Sequence, residues 1–557
     1  MTDKFKTYLA QLNPTVGDIS NNIELINKSW EDARKLKADI FITPELVVCG
    51  YPPEDLLLRP SFLKEIETQV QLLIRKTEVG GPAIILGAPW IKNEKLYNAS
   101  LVIDSGKLVE IILKNKLPNY GVFDEKRLFS PSNIIKPVDL KGIKCGIMIC
   151  EDMWSPDVSL KLAGAGAEIF IVINASPYEL DKTFEREKVA LERVNENHVP
   201  LVYINQVGGQ DELVFDGKSF AINEKGERII SFPTWRSYGE IISWDKTHTG
   251  KLTFESKKCQ TNKINNNENI YSALVVGLKD YITKNKFEGV IIGMSGGIDS
   301  AVTASIAADA LGREKVNCIM MPSIYTSNES LTDAKKCADL LGVNYEIISI
   351  KNIVEEYGLI FKDFFHGRGN DVTEENIQSR IRGSLLMSLS NKFGSMVLAT
   401  GNKSEMSVGY ATLYGDMCGG FAVLKDVYKT VVFEIAKWRN INYLENFLGN
   451  KGKVIPESII TKAPTAELKP NQLDEDTLPS YDILDHILIS LIEKEQSLEQ
   501  LIDIGVDKEI LMKVYKLLQM AEYKRRQSPP GIKITSKSFG RERRYPITNG
   551  FFEKVKS

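Results

Sequence analysis

Two groups of residues in this chain have types and spacings that could do chemistry. The first is the run GMSGGIDS at 293–300, set between the apolar stretch 289–292 and a segment with Ala301, Val302, Ala304, Ser305 and Ala308 at the spacing of one helix face. Strand, glycine loop and helix in that order gather backbone N–H groups and the positive end of a helix dipole around a hollow that suits an anion. Gly296 and Gly297 admit a close approach, Ser295 and Ser300 offer hydroxyl donors, and Gly293, Met294 and Ile298 complete the loop. Asp299 would repel bound phosphates unless a divalent cation lay between them, which assigns it to Mg2+, a hard ion that takes oxygen ligands. The second group is Glu45, Lys114 and Cys150, each just past an apolar run (ADIFITP, VEIIL, KCGIMI) that reads as a strand. Sites in α/β sheets assemble at the carboxyl ends of strands. A carboxylate, an ammonium and a thiol brought together there make an amide-cleaving centre. Glu45 takes the thiol proton and later delivers it to ammonia, Cys150 attacks the amide carbon, and Lys114 stabilises the oxyanion and lowers the thiol pKa.

Each residue also has a plainer reading. A cysteine after an apolar strand is commonly a small core residue, Lys114 reads equally as a solvated charge, and Glu45 as a helix cap. A glycine turn by itself is an ordinary strand-to-helix connection. The loop lacks the Lys of a G-x-x-x-x-G-K-[ST] nucleotide loop, and Gly217-Lys218-Ser219 is a decoy, because Glu212 stands where the first glycine should be.

The elements that must position these residues alternate between strand and helix. Strands are expected at 7–10, 40–43, 83–86, 108–113, 143–149, 169–173 and 201–205, with helices at 22–36 and 60–76, which gives a layered α/β domain over 1–255. Cys49 and Cys145 fall among the core positions, and Gly164-Ala165-Gly166 reads as a helix end. At 256–270 the pattern collapses into a polar, Asn-rich linker. Helix resumes at 271–285, and 271–557 forms the second domain. Beyond the glycine loop, strand at 315–321, helix at 331–341 ending on Gly342 and strand at 345–350 make two βα units of a doubly wound parallel sheet. The polar stretch PSIYTSNES between them is a loop near the site. A long helix at 374–393 carries Asn376, Arg380 and Arg382 off its apolar face and ends on Gly394. The strand at 396–399 then delivers Thr400 to the nucleotide, with Glu405 following. Glu405 joins Asp299 around Mg2+ or binds substrate; its plainer reading is a charge at a helix N-terminus.

Composition narrows the class. The chain has 557 residues, 43% hydrophobic and 26% charged, as in soluble globular proteins. The net charge of -3 carries no polyanion signal, so no nucleic-acid partner is expected. Seven Cys without a C-x-x-C pair and four His argue against a zinc site or a disulfide framework. The N-terminus lacks a signal-peptide core, and no apolar run approaches the ~18 residues of a membrane span. A cytoplasmic location without a membrane partner is therefore expected.

Several strings carry family resemblance. SGGIDS resembles the loop of the ATP-pyrophosphatase families, which split ATP into AMP and pyrophosphate to adenylate a substrate. FITPEL, LKNKLPNYGVFDEKRLF and CEDMW resemble the glutaminases of the nitrilase superfamily. That resemblance implies an αββα sandwich, Glu45, Lys114 and Cys150 as the triad, and glutamine contacts from Tyr120, Ser176 and Lys182. TGNKSEMSVGYATLYGDMCGGF, KDVYKT and KRRQSPPGIKITSKSFGRERRYPIT resemble NAD+ synthetases, so that the chain resembles the glutamine-dependent NAD+ synthetase family from end to end. The resemblance implies ATP contacts from 293–300 and Thr400, deamido-NAD+ contacts from Asn376, Glu405 and Lys524, and Lys429 as a candidate for the ATP phosphates. Tyr428 stands where relatives often show Pro, which leaves the conformation of the Lys429 loop open. The stretch 524–544 holds eight basic residues and one acidic, and part of it is expected to close over substrate phosphates. The family also implies a homo-oligomer, a dimer through the synthetase half with an octamer as the larger alternative. Other amidotransferases with this loop, such as GMP or asparagine synthetases, lack NKSEMSVGYATLYGD and RERRYPIT. A tRNA-thiolating enzyme would want paired cysteines, and a non-catalytic nucleotide sensor would not need an intact triad.

Overall fold

The computed structural model describes residues 4–180, 182–246, 252–253, 265–470 and 472–553. The chain divides into two compact units, Met1–Lys263 and Ile264–Ser557. Of the expected linker, 256–264 lies outside the described residues, as does Cys259. Its remaining residues are not linker. Asn265 accepts the N–H of Asn267 and opens a helix at Asn266–Lys284, earlier than the expected start at Tyr271. Asparagine is a poor helix-interior residue but a strong N-cap, so an Asn-rich run can hide a helix start.

In the first unit two sheets stack face to face. The seven-stranded sheet runs Leu252–Thr253, Tyr238–Lys246, Lys4–Gln11, Ile40–Ile42, Ala83–Lys92, Lys95–Asp104 and Lys107–Leu113 in spatial order. The six-stranded sheet runs Arg228–Ser231, Phe220–Ile222, Leu201–Asn205, Ile169–Asn174, Ile143–Ile149 and Val138–Leu140. Alternation along each strand assigns the layers. Ile40, Ile42 and Ile85 meet Ile147, Ile149, Ile171 and Ile173 between the sheets. Phe41 and Ile84 face out onto Ile23, Ile26 and Trp30 of helix Ile19–Lys35, while Phe170 and Val172 face out onto Val158, Leu162 and Val194. This is the αββα sandwich. All seven expected strands are present. Lys95–Asp104 was not foreseen; it pairs antiparallel with Ala83–Lys92 through a tight turn whose central residues, Asn93 and Glu94, sit at φ 50° and 62°. With no glycine in that turn, the sequence gives little sign of it.

The second unit is built on a five-stranded parallel sheet in the order Asn344–Ile347, Val316–Met320, Val290–Gly293, Met396–Ala399 and Phe421–Ala422. The order reverses beside Val290–Gly293, the switch point at which doubly wound sheets bind ligands. Helix Val372–Phe393 packs Ile381 and Leu386 against Ile291, Ile319 and Val397. The helices Tyr481–Ile492, Leu498–Asp503 and Lys508–Met520 form a separate cluster that supports Met406, Val408 and Tyr428. Among the described residues no helix is long and apolar enough to cross a membrane.

Candidate active sites

The first unit brings Glu45, Lys114 and Cys150 together from both sheets. Cys150 opens a short turn, Cys150–Trp154, directly after strand Ile143–Ile149, at φ 47°. That region is unfavourable for a side chain and persists where the surroundings over-determine it. Lys114 follows strand Lys107–Leu113 and is fully buried, and its Nζ donates to Glu45 Oε1 at 2.6 Å. Glu45 also accepts the N–H of Ala175 at 2.9 Å and the side-chain amide of Asn98 at 2.8 Å. Gly87 backs this segment: a Cβ there would lie 2.2 Å from the Pro44 carbonyl oxygen.

A second glutamate, which nothing in the local sequence marks, completes the cluster. Glu125 is buried and accepts from Lys114 Nζ at 2.8 Å and from the Tyr51 hydroxyl at 3.0 Å. It lies in a short helical turn, Glu125–Arg127, within LPNYGVFDEKRLF, where no periodicity marks it. Burial, with Glu45 adding and Lys114 opposing, raises its carboxyl to about 7. Burial alone would lower the Lys114 ammonium, but Glu125 and Glu45 more than offset this and hold it well above its ordinary value. Burial pushes the Cys150 thiol well above its usual value, with Glu45 adding and Lys114 opposing. Burial thus keeps the Cys150 thiol protonated at rest, so its proton must move to a base as the sulfur attacks.

The expected glutamine contacts lie at two depths. The exposed Tyr120 hydroxyl donates to Glu151 Oε2 at 2.9 Å, beside Cys150, and its ring meets Phe123 edge-on at 5.5 Å. Lys182 Nζ stands 5.2 Å over the same Phe123 ring. Ser176 is buried and its N–H donates to Asn205 Oδ1 at 2.9 Å. Glu151 and Phe123 were not singled out from the sequence. The Gly217-Lys218-Ser219 decoy is structural, since the Ser219 hydroxyl donates to Gln11 in the interior.

In the second unit the loop 293–300, Thr400, Glu405 and Lys429 line one cavity of about 290 Å3. Gly296 has φ 78°, and a Cβ there would meet the Ser330 carbonyl oxygen at 2.4 Å, so both the turn and the close packing require glycine. Ser295 and Ser300 hydroxyls lie 3.0 Å apart and bond around the loop, with Gly297 N–H donating to Ser295 Oγ. Helix Ile298–Leu311 begins there with Gly297 as N-cap, which turns the first-turn N–H groups toward the loop. Glu405 fulfils its plainer reading and more: it closes a capping box with Asn402 and also reaches Lys429 Nζ at 3.3 Å. Asp299 Oδ2 accepts from Lys429 Nζ at 2.5 Å, and its Oδ1 accepts from Asn402 at 2.9 Å. Burial raises Glu405 to about 8, with Lys429 opposing and Asp299 adding.

Two carboxylates thus converge on one cationic nitrogen, and among the described residues no cluster of three protein ligands occurs. That donor set fits Mg2+, which commonly takes one or two carboxylates and completes its shell with phosphate oxygens and water. Lys429 begins helix Lys429–Ile441, and its own N–H donates to Ser404 Oγ at 2.9 Å. Tyr428 is a buried N-cap at φ -66°, within the range a proline ring fixes, so tyrosine here adopts a backbone angle that proline would also allow.

Asn376 and Lys524 do not line the cavity. Asn376 Oδ1 accepts the Thr412 hydroxyl at 2.8 Å, and Lys524 Nζ donates to the Gly409 and Ala411 carbonyls at 2.8 and 2.7 Å, so both fasten a wall that includes Tyr410 and Asp416. Much of the basic tail turns inward. Arg525 donates to Ser407 and Leu518 carbonyls, Lys533 pairs with Glu542, and Arg543 pairs with the buried Glu522 at 3.5 Å. Buried guanidinium and ammonium groups need such partners, which sequence density cannot reveal. Arg382, read as decoration on its helix, instead reaches the cavity, as do Lys462 and Glu467. Burial lowers the Arg382 guanidinium to about 10.

Comparison with known proteins gives both units a family. Residues 7–243 match the carbon-nitrogen hydrolase model and residues 270–528 the NAD synthase model. Over 552 residues the chain is 46% identical to a glutamine-dependent NAD(+) synthetase of Acinetobacter baylyi, covering 98% of this chain and 99% of that one. The chain belongs to the glutamine-dependent NAD(+) synthetases. The family member of Thermotoga maritima is 41% identical across 99% of this chain and all of its own. The solved structure of the glutamine-dependent NAD+ synthetase of Acinetobacter baumannii, in complex with adenosine diphosphate, shares 42% identity and a TM-score of 0.77, covering 99% of this chain and 100% of that one. A family member is a carbon–nitrogen ligase with glutamine as amide donor, built from a glutaminase and a synthetase domain. The family uses ATP and typically a divalent metal.

Proposed function

We propose that the chain amidates deamido-NAD+ to NAD+, the last step of NAD+ biosynthesis, with ammonia from L-glutamine released at Cys150. The observation that carries this reading is the buried contact of Lys114 with Glu45 beside the strained Cys150 turn, in a chain whose second unit holds the SGGIDS cavity. Cys150 sulfur adds to the glutamine amide carbon while Glu45 takes its proton. Lys114 stabilises the oxyanion, and Glu45 returns the proton to nitrogen as the C–N bond breaks. Water then cleaves the thioester to glutamate, with Glu45 again as base. Tyr120, Ser176 and Lys182 hold the glutamine.

In the second unit the nicotinate carboxylate of deamido-NAD+ attacks the α-phosphorus of ATP, and pyrophosphate leaves. Ammonia then displaces AMP from the mixed anhydride. The loop 293–300 and Thr400 bind ATP, Lys429 faces its phosphates, and Asn376, Glu405 and Lys524 serve the deamido-NAD+ side. Asp299 and Glu405 would hold Mg2+, which when bound neutralises charge on the departing pyrophosphate. Because an adenylated carboxylate hydrolyses in water and ammonia is mostly ammonium at neutral pH, a glutaminase tied to the adenylating site is chemically sensible. The chain is taken to act as a cytoplasmic homo-oligomer.

The test is Cys150→Ala. Glutamine-supported NAD+ formation should vanish while ammonium-supported formation persists; loss of both would refute separable sites. A count of glutamate formed per NAD+ near one, only with all substrates present, supports transfer without loss of ammonia.

A further inference from the structure

The glutaminase residues arise on different sheets. Lys114 leaves the edge strand of the seven-stranded sheet, and Cys150 leaves a strand of the six-stranded sheet. Among the described residues no strand of one sheet pairs with a strand of the other, because face-to-face layers meet through side chains; close to the site the N–H of Glu45 reaches the Asn174 carbonyl at 3.4 Å. Their relative register near the thiol therefore rests on single hydrogen bonds that cross between the layers, and the bond from the Ala175 N–H to Glu45 Oε2 is one of them.

Asp152 spans the gap. It is 1% exposed and lies in the turn that Cys150 opens. Its Oδ1 accepts the N–H groups of Asn115 and Lys116, at 2.9 and 2.8 Å, directly after Lys114. Its Oδ2 accepts the N–H of Ile149 at 3.1 Å, directly before Cys150. One rigid carboxylate thus grips the backbone on both sides of the site, within two residues of Lys114 and one of Cys150. A local turn cap would account for Ile149 alone. The bonds to Asn115 and Lys116 cross 37 and 36 residues of sequence and come from the segment that follows the edge strand of the other sheet.

We infer that Asp152 is a positioning residue for amide cleavage, a backbone clip that sets where the Lys114 ammonium stands relative to the Cys150 sulfur. The inference rests on the reading of Cys150 as the nucleophile. Misplacing a reacting group by about 1 Å can cost about 100-fold in rate. Loss of the clip should therefore lower kcat more than it weakens glutamine binding, since Asp152 is not among the residues assigned to the glutamine.

The experiment uses the full chain and three variants. Cys150→Ala controls for the reading. Asp152→Leu keeps volume and removes all acceptors, while Asp152→Asn keeps the oxygen that faces Asn115 and Lys116. Glutamate release is measured against glutamine concentration, with thermal unfolding as a check that the first unit folds and ammonium-supported NAD+ formation as a check on the second. In Asp152→Leu the expected result is a kcat for glutamate release lower by about 100-fold, with KM within about threefold and ammonium-supported activity retained. Asp152→Asn should recover most of the lost kcat. A normal kcat in Asp152→Leu, or an equal loss in Asp152→Asn, overturns the clip. If Asp152→Leu does not fold, Asp152→Asn decides: kcat within about tenfold of the parent supports the inference, and a loss as deep as that of Cys150→Ala overturns it. Glutamate release that survives in Cys150→Ala would instead refute the nucleophile reading.

Discussion

Replacing Lys114 by Met tests the glutaminase centre through both stability and activity. Its Nζ donates to Glu45 at 2.6 Å and to Glu125 at 2.8 Å, and the three side chains are 0%, 0% and 6% exposed. Breaking a buried pair by removing one partner costs about 3–5 kcal/mol. The variant has a partial escape, because Glu125, already raised to about 7, takes up a proton more readily once the ammonium is gone. The sign follows from linkage: a carboxyl whose folded pKa exceeds the unfolded value of about 4.3 binds more protons when folded. Stability then falls as pH rises between the two values, by up to about 1.4 kcal/mol per pH unit. In the parent this fall ends near pH 7, whereas in Lys114→Met it continues above 7. The destabilisation at about pH 8.5 should therefore exceed that at about pH 6 by roughly 1–2 kcal/mol, or several degrees in the melting of the first unit. Thermal unfolding at both pH values reads this out, with ammonium-supported NAD+ formation confirming that the second unit is intact. Glutamate release should fall by at least about 100-fold. A pH-independent thermal shift, or glutamate release within threefold of the parent, would refute the argument.

Three further outcomes are expected in the second unit. Asp299→Ala should stop ATP cleavage, measured as AMP release with deamido-NAD+ present; AMP formed at the parental rate would remove Asp299 as a metal ligand. Gly296→Ala should lower ATP-dependent activity at least about tenfold, because a β-carbon must both adopt a left-handed conformation and displace the Ser330 carbonyl, 2.4 Å away; unchanged nucleotide affinity would show that the loop can yield. Lys429→Met should raise the KM for ATP by about tenfold, the order expected for loss of a charge-assisted contact. A parental KM would leave Lys429 only its bonds to Asp299 and Glu405.

How much was legible in the sequence depended on the range of the determinant. The loop 293–300 is local: strand, glycines and helix are contiguous, and their spacing alone places an anion cradle at the end of a strand. Cys150, Glu45 and Lys114 are recognisable because each follows an apolar strand, and the tertiary structure joins Lys114 to Glu45 through a 2.6 Å contact across 69 residues of sequence. Glu125 and Asp152 were not distinguishable from surface acids, because what makes them special is burial and partners from distant segments. The same holds for Arg382, whose helix carries polar residues on several faces, only one of which meets the cavity. Part of the basic run at 524–544 is expected to close over substrate phosphates; within that run tertiary contacts give Arg525, Lys533 and Arg543 buried partners that sequence density does not reveal. Hydrophobic periodicity and glycine placement are encoded within a few residues, so the sequence by itself determined the layers, the loop and the family. Which charges face each other across two sheets is a property of the packed chain, and the folded structure alone decided it.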